Sequence, residues 1–196
     1  MLVPNSSKSR SVADFLEYAR ARQGKVTFAS PGLGSSLHLC AEMFKRSAGI
    51  EMTGVLYRGS SPALNDLIPG RVDVMFNSAA SALPLVRSGS VRALAVTTQQ
   101  RMPTIPELPT IAESGVPAFD VSSWFAFYAP ARTPPDIVSR MHADTVAALA
   151  DTAVKARLED LGAVIVGSTP AELATHLKSE MNKWGPVIKK AGVFAD

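Results

Sequence analysis

Residues 25 to 38 read Lys25-Val-Thr-Phe-Ala-Ser-Pro-Gly-Leu-Gly-Ser-Ser-Leu-His38 and give the best indication of the fold class. The first part of this stretch, 25–29, is predicted to be a short strand. A glycine turn follows, and its serines can cap a helix that the spacing predicts to continue to about Ser47. A strand that passes through a tight turn into a helix is the repeating unit of α/β folds.

The same alternation of strands and helices extends in both directions along the chain. Further strands are predicted over 53–57, 72–76, 91–97, 122–129 and 163–166. Further helices are predicted over 11–22, 61–70, 81–87, 134–150, 152–161 and from 169 onward. A proline-rich irregular crossover occupies 99–118. The sequence therefore predicts an α/β protein with one unit near 25–125 and a helix-rich tail.

Composition narrows the class of protein. Of the 196 residues, 46% are hydrophobic and 19% are charged, so an ordinary folded core is expected. The net charge is +3 and the basic residues are scattered, so we expect no nucleic-acid partner, although a weak positive field suits an anionic ligand. Because Cys40 is the only cysteine, an internal disulfide and a multi-thiolate metal site are excluded. No apolar stretch approaches the roughly 18 residues of a membrane span.

The turn after the first predicted strand is suited to binding an anion. Gly34 allows backbone to approach a ligand closely, and the first amides of the following helix lack partners inside it. The helix dipole favours negative charge at the same place, and Ser35 and Ser36 add hydroxyl donors. The alternative is that the glycines only make a tight turn and the serines only cap the helix. No lysine follows the second glycine where a Walker loop requires one.

Two other predicted strands end in small polar residues. Tyr57-Arg58-Gly59-Ser60-Ser61-Pro62 repeats the order of strand, glycine, serine and helix, and Asn77-Ser78 follows the strand over 72–76. Ligands of open α/β sheets lie beyond the carboxyl ends of the strands. The three strand ends could therefore form one rim, whereas each taken alone is also compatible with ordinary loop chemistry.

Catalytic and metal-binding patterns are weak. Ser35 and His38 are three residues apart on one helix, a spacing that rarely aligns a base with a nucleophile, and no Asp is placed to orient the imidazole. The sequence has no G-x-S-x-G elbow, and the three histidines have no metal-ligand spacing. Cys40 is interpreted as a small core residue. The sequence thus favours a binding protein without metal or cofactor over an enzyme.

At these motifs the sequence resembles the substrate-binding receptors of tripartite tricarboxylate transporters, the Bug family. The resemblance extends through nearly the whole chain in order. It is carried by 25–38, by Tyr57 to Leu64, by Gly70-Arg-Val-Asp-Val-Met-Phe76, by Arg92 to Thr97, by Leu108 to Gly115 and by Trp124-Phe125 before Ala129-Pro130.

The resemblance implies a periplasmic-binding-protein-like fold of type II, in which two lobes close on a ligand like a Venus flytrap. It implies a di- or tricarboxylate, an acidic amino acid or an aromatic acid as ligand, transporter subunits in the membrane as partners, and a periplasmic location. The implied ligand-binding residues are Ser30, Gly34, Ser35, Ser36, Tyr57, Arg58, Asn77 and Ser78.

The sequence also departs from the family pattern. Relatives carry a longer N-terminal part with a signal peptide and a first-lobe glycine-rich loop, and neither is recognisable here. The resemblance then implies a partial first-lobe segment over 1–24, a complete second lobe over 25–125 and a mainly helical return to the first lobe over 126–196. We expect such a partial lobe to expose apolar helix faces and to promote self-association. A receptor for transport is the leading hypothesis, and a truncated remnant acting as an interaction or sensory module is the alternative.

Overall fold

The computed structural model describes residues 1–192, which divide into two compact units. Unit 1 comprises Met1–Ser123 and the chain from Pro186 onward, and unit 2 comprises Trp124–Gly185. The elements of unit 1 are β1 (Leu2–Pro4), α1 (Val12–Ala21), β2 (Thr27–Ser30), α2 (Ser36–Ala48), β3 (Thr53–Leu56), α3 (Ser60–Leu67), β4 (Val74–Met75), α4 (Ala79–Arg87) and β5 (Val91–Ala93). Unit 2 contains α5 (Pro135–Ala150), α6 (Thr152–Asp160) and most of α7 (Pro170–Ala191).

Unit 1 is built on a five-stranded mixed sheet in the order β3-β2-β4-β1-β5. The strand β2 is parallel to both of its neighbours, pairing Ala29 with Val55 of β3 and with Met75 of β4. The strand β1 is antiparallel to β4 and β5, and Leu2 pairs with Met75 and Ala93. The α/β prediction is confirmed, and the parallel trio β3-β2-β4 is the part of the sheet that positions the candidate site.

Helices cover both faces of this sheet because successive strand residues point to opposite sides. Phe28 of β2 contacts His38 of α2, with ring centroids 5.8 Å apart. The next residue, Ala29, belongs instead to the core cluster formed with α3 and α4. On the α2 side, Phe44 packs against Phe76 at 5.4 Å and against Phe119 at 5.9 Å. The strands β2 and β4 are thereby largely removed from water, whereas the edge strand β3 stays mostly exposed, and α2 is fixed against the sheet.

The helices lie close to their predicted limits, because the residues that cap a helix are near its ends in the sequence. Helix α1 begins with a capping box in which Ser11 accepts from the amide of Asp14 and Asp14 accepts from the amide of Ser11. Helix α2 ends at Gly49, which has the left-handed conformation of a C-terminal glycine (φ 61°). Among the described residues, no helix is both long enough and apolar enough to cross a bilayer.

Three sequence expectations differ from the structure. Residues 1–24 were expected in the incomplete lobe, but the structure groups them with 25–123, because β1 inserts between β4 and β5. The strands expected over 122–129 and 163–166 are irregular, and the described part of unit 2 contains no strand with which either could pair. The three-residue β1 was missed because it is too short to show a period.

Unit 2 leaves much apolar surface exposed. None of the residues of α5 or α6 is buried. The apolar side chains of α7 include Leu177 and Met181, which are 37% and 67% exposed. The unpaired segments are more exposed still: Phe125 and Phe127 are 97% and 83% exposed. The expectation that apolar faces of this part would be exposed agrees with these values.

Candidate functional site

Three loops meet at one edge of the sheet in unit 1. Because β2 lies between β3 and β4 and is parallel to both, the carboxyl ends of all three strands point the same way. The first two loops are bonded to each other: the amide of Tyr57 donates to the carbonyl of Ser30 at 2.8 Å, and that of Gly59 donates to Pro31 at 2.9 Å. The convergence of strand ends that the sequence suggested is thus present in the fold, at the edge where open α/β sheets place ligands.

The turn after β2 has the conformation that its glycine predicts. Gly34 is exposed and has φ 72°, a left-handed value that residues with a Cβ rarely adopt. Ser35 is the N-cap of α2: its hydroxyl donates to the carbonyl of Gly32 at 2.9 Å and accepts from the amide of His38 at 3.2 Å. Both hydrogen-bonding roles of Ser35 are therefore used within the turn. The amides of Ser36 and Leu37 find no acceptor among the described residues and remain available to a ligand.

Ser30 lies beneath this turn and is completely buried. Its hydroxyl donates to the carbonyl of Gly32 at 3.1 Å and lies 3.0 Å from Nδ1 of His38, which is itself only 6% exposed. The imidazole is thus bonded to Ser30, whereas the Ser35 hydroxyl contacts only the backbone of His38. The Ser35–His38 nucleophile and base considered from sequence are not paired through their side chains.

The burial of His38 beneath the turn should make the free energy of unfolding depend on pH. Desolvation lowers the pKa of His38 below its ordinary value of 6.5, and Lys45 lowers it further while Glu42 opposes the shift. Because the folded protein binds this proton more weakly than the unfolded chain, the free energy of unfolding should be highest above pH 6.5. It should fall as the pH drops below 6.5. Denaturant unfolding at pH 7.5 and pH 5.5 measures the fall.

The matched variant is His38→Gln, which keeps a polar side chain near Ser30 but does not titrate. The buried ammonium of Met1, whose pKa burial lowers to about 6, destabilises in the same direction and is common to both proteins. The pH dependence of the difference between wild type and His38→Gln therefore isolates the histidine. Identical pH dependence in the two proteins would contradict this role of His38.

The second loop contains Tyr57, whose hydroxyl hydrogen is donated within the protein, and Arg58, whose side chain is exposed. The hydroxyl of Tyr57 donates to Asp66 at 2.8 Å, and Arg71 donates to the same carboxylate at 2.8 Å. Burial, followed by the bond to Asp66, raises the pKa of Tyr57, and the bonds from Arg71 and Tyr57 lower that of Asp66. Arg58 is exposed and makes no ion pair within the described residues, so its charge is directed to solvent or to a ligand.

The third loop contains a buried donor without a partner. The side-chain oxygen of Asn77 accepts from the amide of Ser78 at 3.0 Å, whereas Nδ2 of Asn77 is buried and finds no acceptor among the described residues. Leaving a buried donor unsatisfied costs about 1–3 kcal/mol, so such groups usually mark a missing partner. Ser78 precedes α4 as its N-cap residue, and its hydroxyl lies 3.2 Å from that of Ser81.

The helix starts at this edge add a common electrostatic property. Neither α3, which begins after Gly59, nor α4, which begins after Ser78, receives a side-chain cap. The first amides of these helices and of α2 together carry partial positive charge, which suits an anion. The described residues contain no group of three or more His, Cys, Asp or Glu side chains that could hold a metal ion.

The structure adds one residue that sequence reasoning missed. The hydroxyl of Ser123 lies 3.3 Å from that of Ser36, although the two residues are 87 positions apart. Ser123 was predicted to lie in a strand, and no local pattern distinguishes it from Ser122. Trp124, which follows Ser123 and is one of the residues that carry the family resemblance, belongs to unit 2, where its indole N–H donates to Glu180 at 3.2 Å.

Comparisons with known proteins agree on one family. The family model described as "Tripartite tricarboxylate transporter family receptor" matches residues 1–193. A UPF0065 protein from the tcbD-tcbE intergenic region of Pseudomonas sp. strain P51 is 42% identical over 189 residues, which are 96% of this chain and 56% of that protein. The chain thus spans little more than half the length of this relative.

Solved structures give the same result. The R. palustris protein Rpa4515, solved with adipate, superposes with a TM-score of 0.89 at 39% identity, covering 98% of this chain and 64% of that one. MatC from Rhodopseudomonas palustris, solved with bound malate, gives a TM-score of 0.84 at 31% identity, covering 95% and 65%. Both are similar to this chain along nearly all of its length.

Proposed function

This chain belongs to the tripartite tricarboxylate transporter receptor family, and on that premise we propose that it binds a small carboxylate at the edge formed by β2, β3 and β4. The observation that carries the proposal is the set of unsatisfied donors gathered there. They are the amides of Ser36 and Leu37, the uncapped starts of α3 and α4, and the buried Nδ2 of Asn77. All of them are donors, and a carboxylate is an acceptor with about four lone-pair sites.

The proposed site residues form two groups, according to whether their own hydrogen bonds leave them able to contact a ligand. Gly34, Ser36, Arg58, Asn77 and Ser78 are proposed to meet the ligand, because each offers a close backbone approach, a hydroxyl, a charge or an unused donor. The other three predicted residues are proposed to act mainly by holding the loops, because their protons are already donated within the protein. These are Ser30, Ser35 and Tyr57.

The ligand class follows from charge and from relatives. Arg58 and three helix starts favour an anionic ligand, and donors on three separate loops favour a ligand with more than one acceptor group. The ligands of the two solved relatives, adipate and malate, are both dicarboxylates. We propose a di- or tricarboxylate first, with an acidic amino acid or an aromatic acid as the other members of the class.

Receptors of this family serve transporters, and we propose the same setting here. The partners would be the membrane subunits of a tripartite tricarboxylate transporter, and the location would be the periplasm. Solved relatives include a protein described as a periplasmic transporter, at 32% identity and a TM-score of 0.88. The bound solute would be delivered without chemical change, since no hydroxyl at this edge is paired with the His38 side chain except the buried Ser30.

A second candidate function rests on unit 2. Its exposed Phe125, Phe127, Val164 and Val166 are suited to contact with another polypeptide. A binding-protein remnant that acts as an interaction or sensory module would use this surface, with or without ligand. The two candidates differ in whether carboxylate affinity is present in the chain itself.

The charge of Arg58 supplies a test of the proposed function. Arg58→Gln should weaken binding of adipate or malate several-fold while leaving binding of adipamide, which carries no charge, unchanged. The difference should shrink as salt rises from low to physiological concentration and beyond, because Arg58 is exposed. Calorimetric titration at two salt concentrations measures both effects, and Arg132→Gln in unit 2 is the matched control. Equal losses for the diacid and the diamide would show that Arg58 is structural.

A further inference from the structure

Two hydroxyls from distant parts of the chain meet at the start of α2. Ser36 is the first residue of this helix, and Ser123 is the last residue of unit 1 before the chain enters unit 2. Their oxygens are 3.3 Å apart and both residues are exposed. Unlike Ser35, neither residue uses its hydroxyl to cap the helix or to bond a carbonyl.

The position of Ser123 is set by the core. Phe119 is buried and packs against Phe44 of α2 at 5.9 Å, so the segment before Ser123 and the helix that carries Ser36 share one anchor. Val121, which is 4% exposed, donates its amide to the carbonyl of Thr97 at 2.8 Å. With both ends of the contact held in this way, the meeting of the two hydroxyls follows from the fold and does not depend on a mobile loop end.

We propose that Ser123 is a ligand-binding residue, which forms with Ser36 a two-hydroxyl clamp for one carboxylate group of the ligand. This inference rests on the proposed function. Within the pair, only one hydroxyl hydrogen can lie between the two oxygens, so the other is available to an acceptor. A carboxylate can accept from both hydroxyls after a rotation of each, and the unsatisfied amides of Ser36 and Leu37 lie in the same first turn. Donors gathered around one carboxylate form charge-assisted bonds, which are the stronger kind.

The test is titration of adipate and malate into the full chain by calorimetry, with five variants. Ser123→Ala should lower the affinity roughly tenfold, the loss expected for one hydrogen bond to a charged group. Ser123→Thr, which keeps the hydroxyl, should retain most of the affinity. Ser122→Ala is the matched control, because Ser122 is an exposed neighbour with no hydrogen bond in the structure, and it should change the affinity less than twofold.

Ser36→Ala and the double variant complete the cycle. If the two hydroxyls act on one carboxylate, Ser123→Ala should cost at least threefold less affinity in the Ser36→Ala background than in the wild type. The inference is overturned by wild-type affinity in Ser123→Ala, by equal losses in Ser122→Ala and Ser123→Ala, or by strictly multiplicative losses in the double variant. Failure of the wild type to bind either acid would overturn the proposed function itself, and is recognised because it needs no variant.

Discussion

Replacing Gly34 with valine is expected to reduce carboxylate affinity roughly a hundredfold or more, the largest effect of any single substitution at the site. The left-handed backbone at φ 72° costs a residue with a Cβ about 1–2 kcal/mol, and a β-branched residue more. The turn would relieve this strain by moving, and the amides of Ser36 and Leu37 would move with it. Calorimetric titration with adipate and malate measures the loss.

The matched control for this change is Gly24→Val. Gly24 has nearly the same backbone conformation, with φ 74°, and no atom lies within 4 Å of the Cβ that a substitution would add. It lies in the turn between α1 and β2, on the amino-terminal side of β2, and so is remote from the proposed site. Both variants should lose similar stability in denaturant unfolding, but only the change at Gly34 should lose affinity. Unchanged affinity in Gly34→Val would remove this turn from the site.

The second large effect is expected on self-association. The chain should form oligomers whose mass rises with concentration, because the segments 124–128 and 164–166 have exposed apolar side chains and backbone that pairs with no strand. Phe125 and Phe127 are 97% and 83% exposed, and Val164 and Val166 are 77% and 80% exposed. Extended segments of this kind readily pair with strands of another molecule. Burying two phenylalanines contributes several kcal/mol, so Phe125→Ser/Phe127→Ser should weaken association about a hundredfold.

Light scattering over a range of concentrations, combined with sedimentation velocity, measures this effect. The control is Leu33→Ser/Leu56→Ser, which removes two exposed apolar side chains of unit 1, 61% and 53% exposed, and should leave the oligomers intact. If both pairs of substitutions weaken association equally, the contact is a general hydrophobic one. A monodisperse monomer at every concentration would contradict the role assigned to these segments.

The helices were predictable because their limits depend on neighbouring residues. The capping box at Ser11 and Asp14 and the left-handed Gly49 are local signals, and each marks the end of a helix in the structure. Strands have no such local signal, since a strand exists only where a partner strand supplies its hydrogen bonds. Residues 53–56 pair with β2 and form a strand, whereas the apolar run at 124–128 has no partner strand and is irregular.

The candidate site, like the fold, was predictable from the sequence only in part. The convergence of three strand ends follows from the general rule for parallel strands, so the sequence predicted that these ends share one edge of the sheet. The hydrogen bonds that distinguish its residues are tertiary: Tyr57 donates to Asp66, and Ser30 bonds to His38. Ser123 joins Ser36 only because Phe119 and Val121 are buried before it, and a single sequence does not reveal that contact.

Titration of the chain with adipate, malate and adipamide decides whether the edge formed by β2, β3 and β4 binds carboxylates, as we claim. Chemical shifts of the amides of Ser36, Leu37 and Asn77 should move with saturation for the two diacids, with a dissociation constant on the order of 1 mM, or about 4 kcal/mol of binding. Adipamide, which carries no charge, should bind more weakly and shift these amides less at the same concentrations. Saturable shifts of equal size for adipamide, or no saturable shift with either diacid, would contradict the claim.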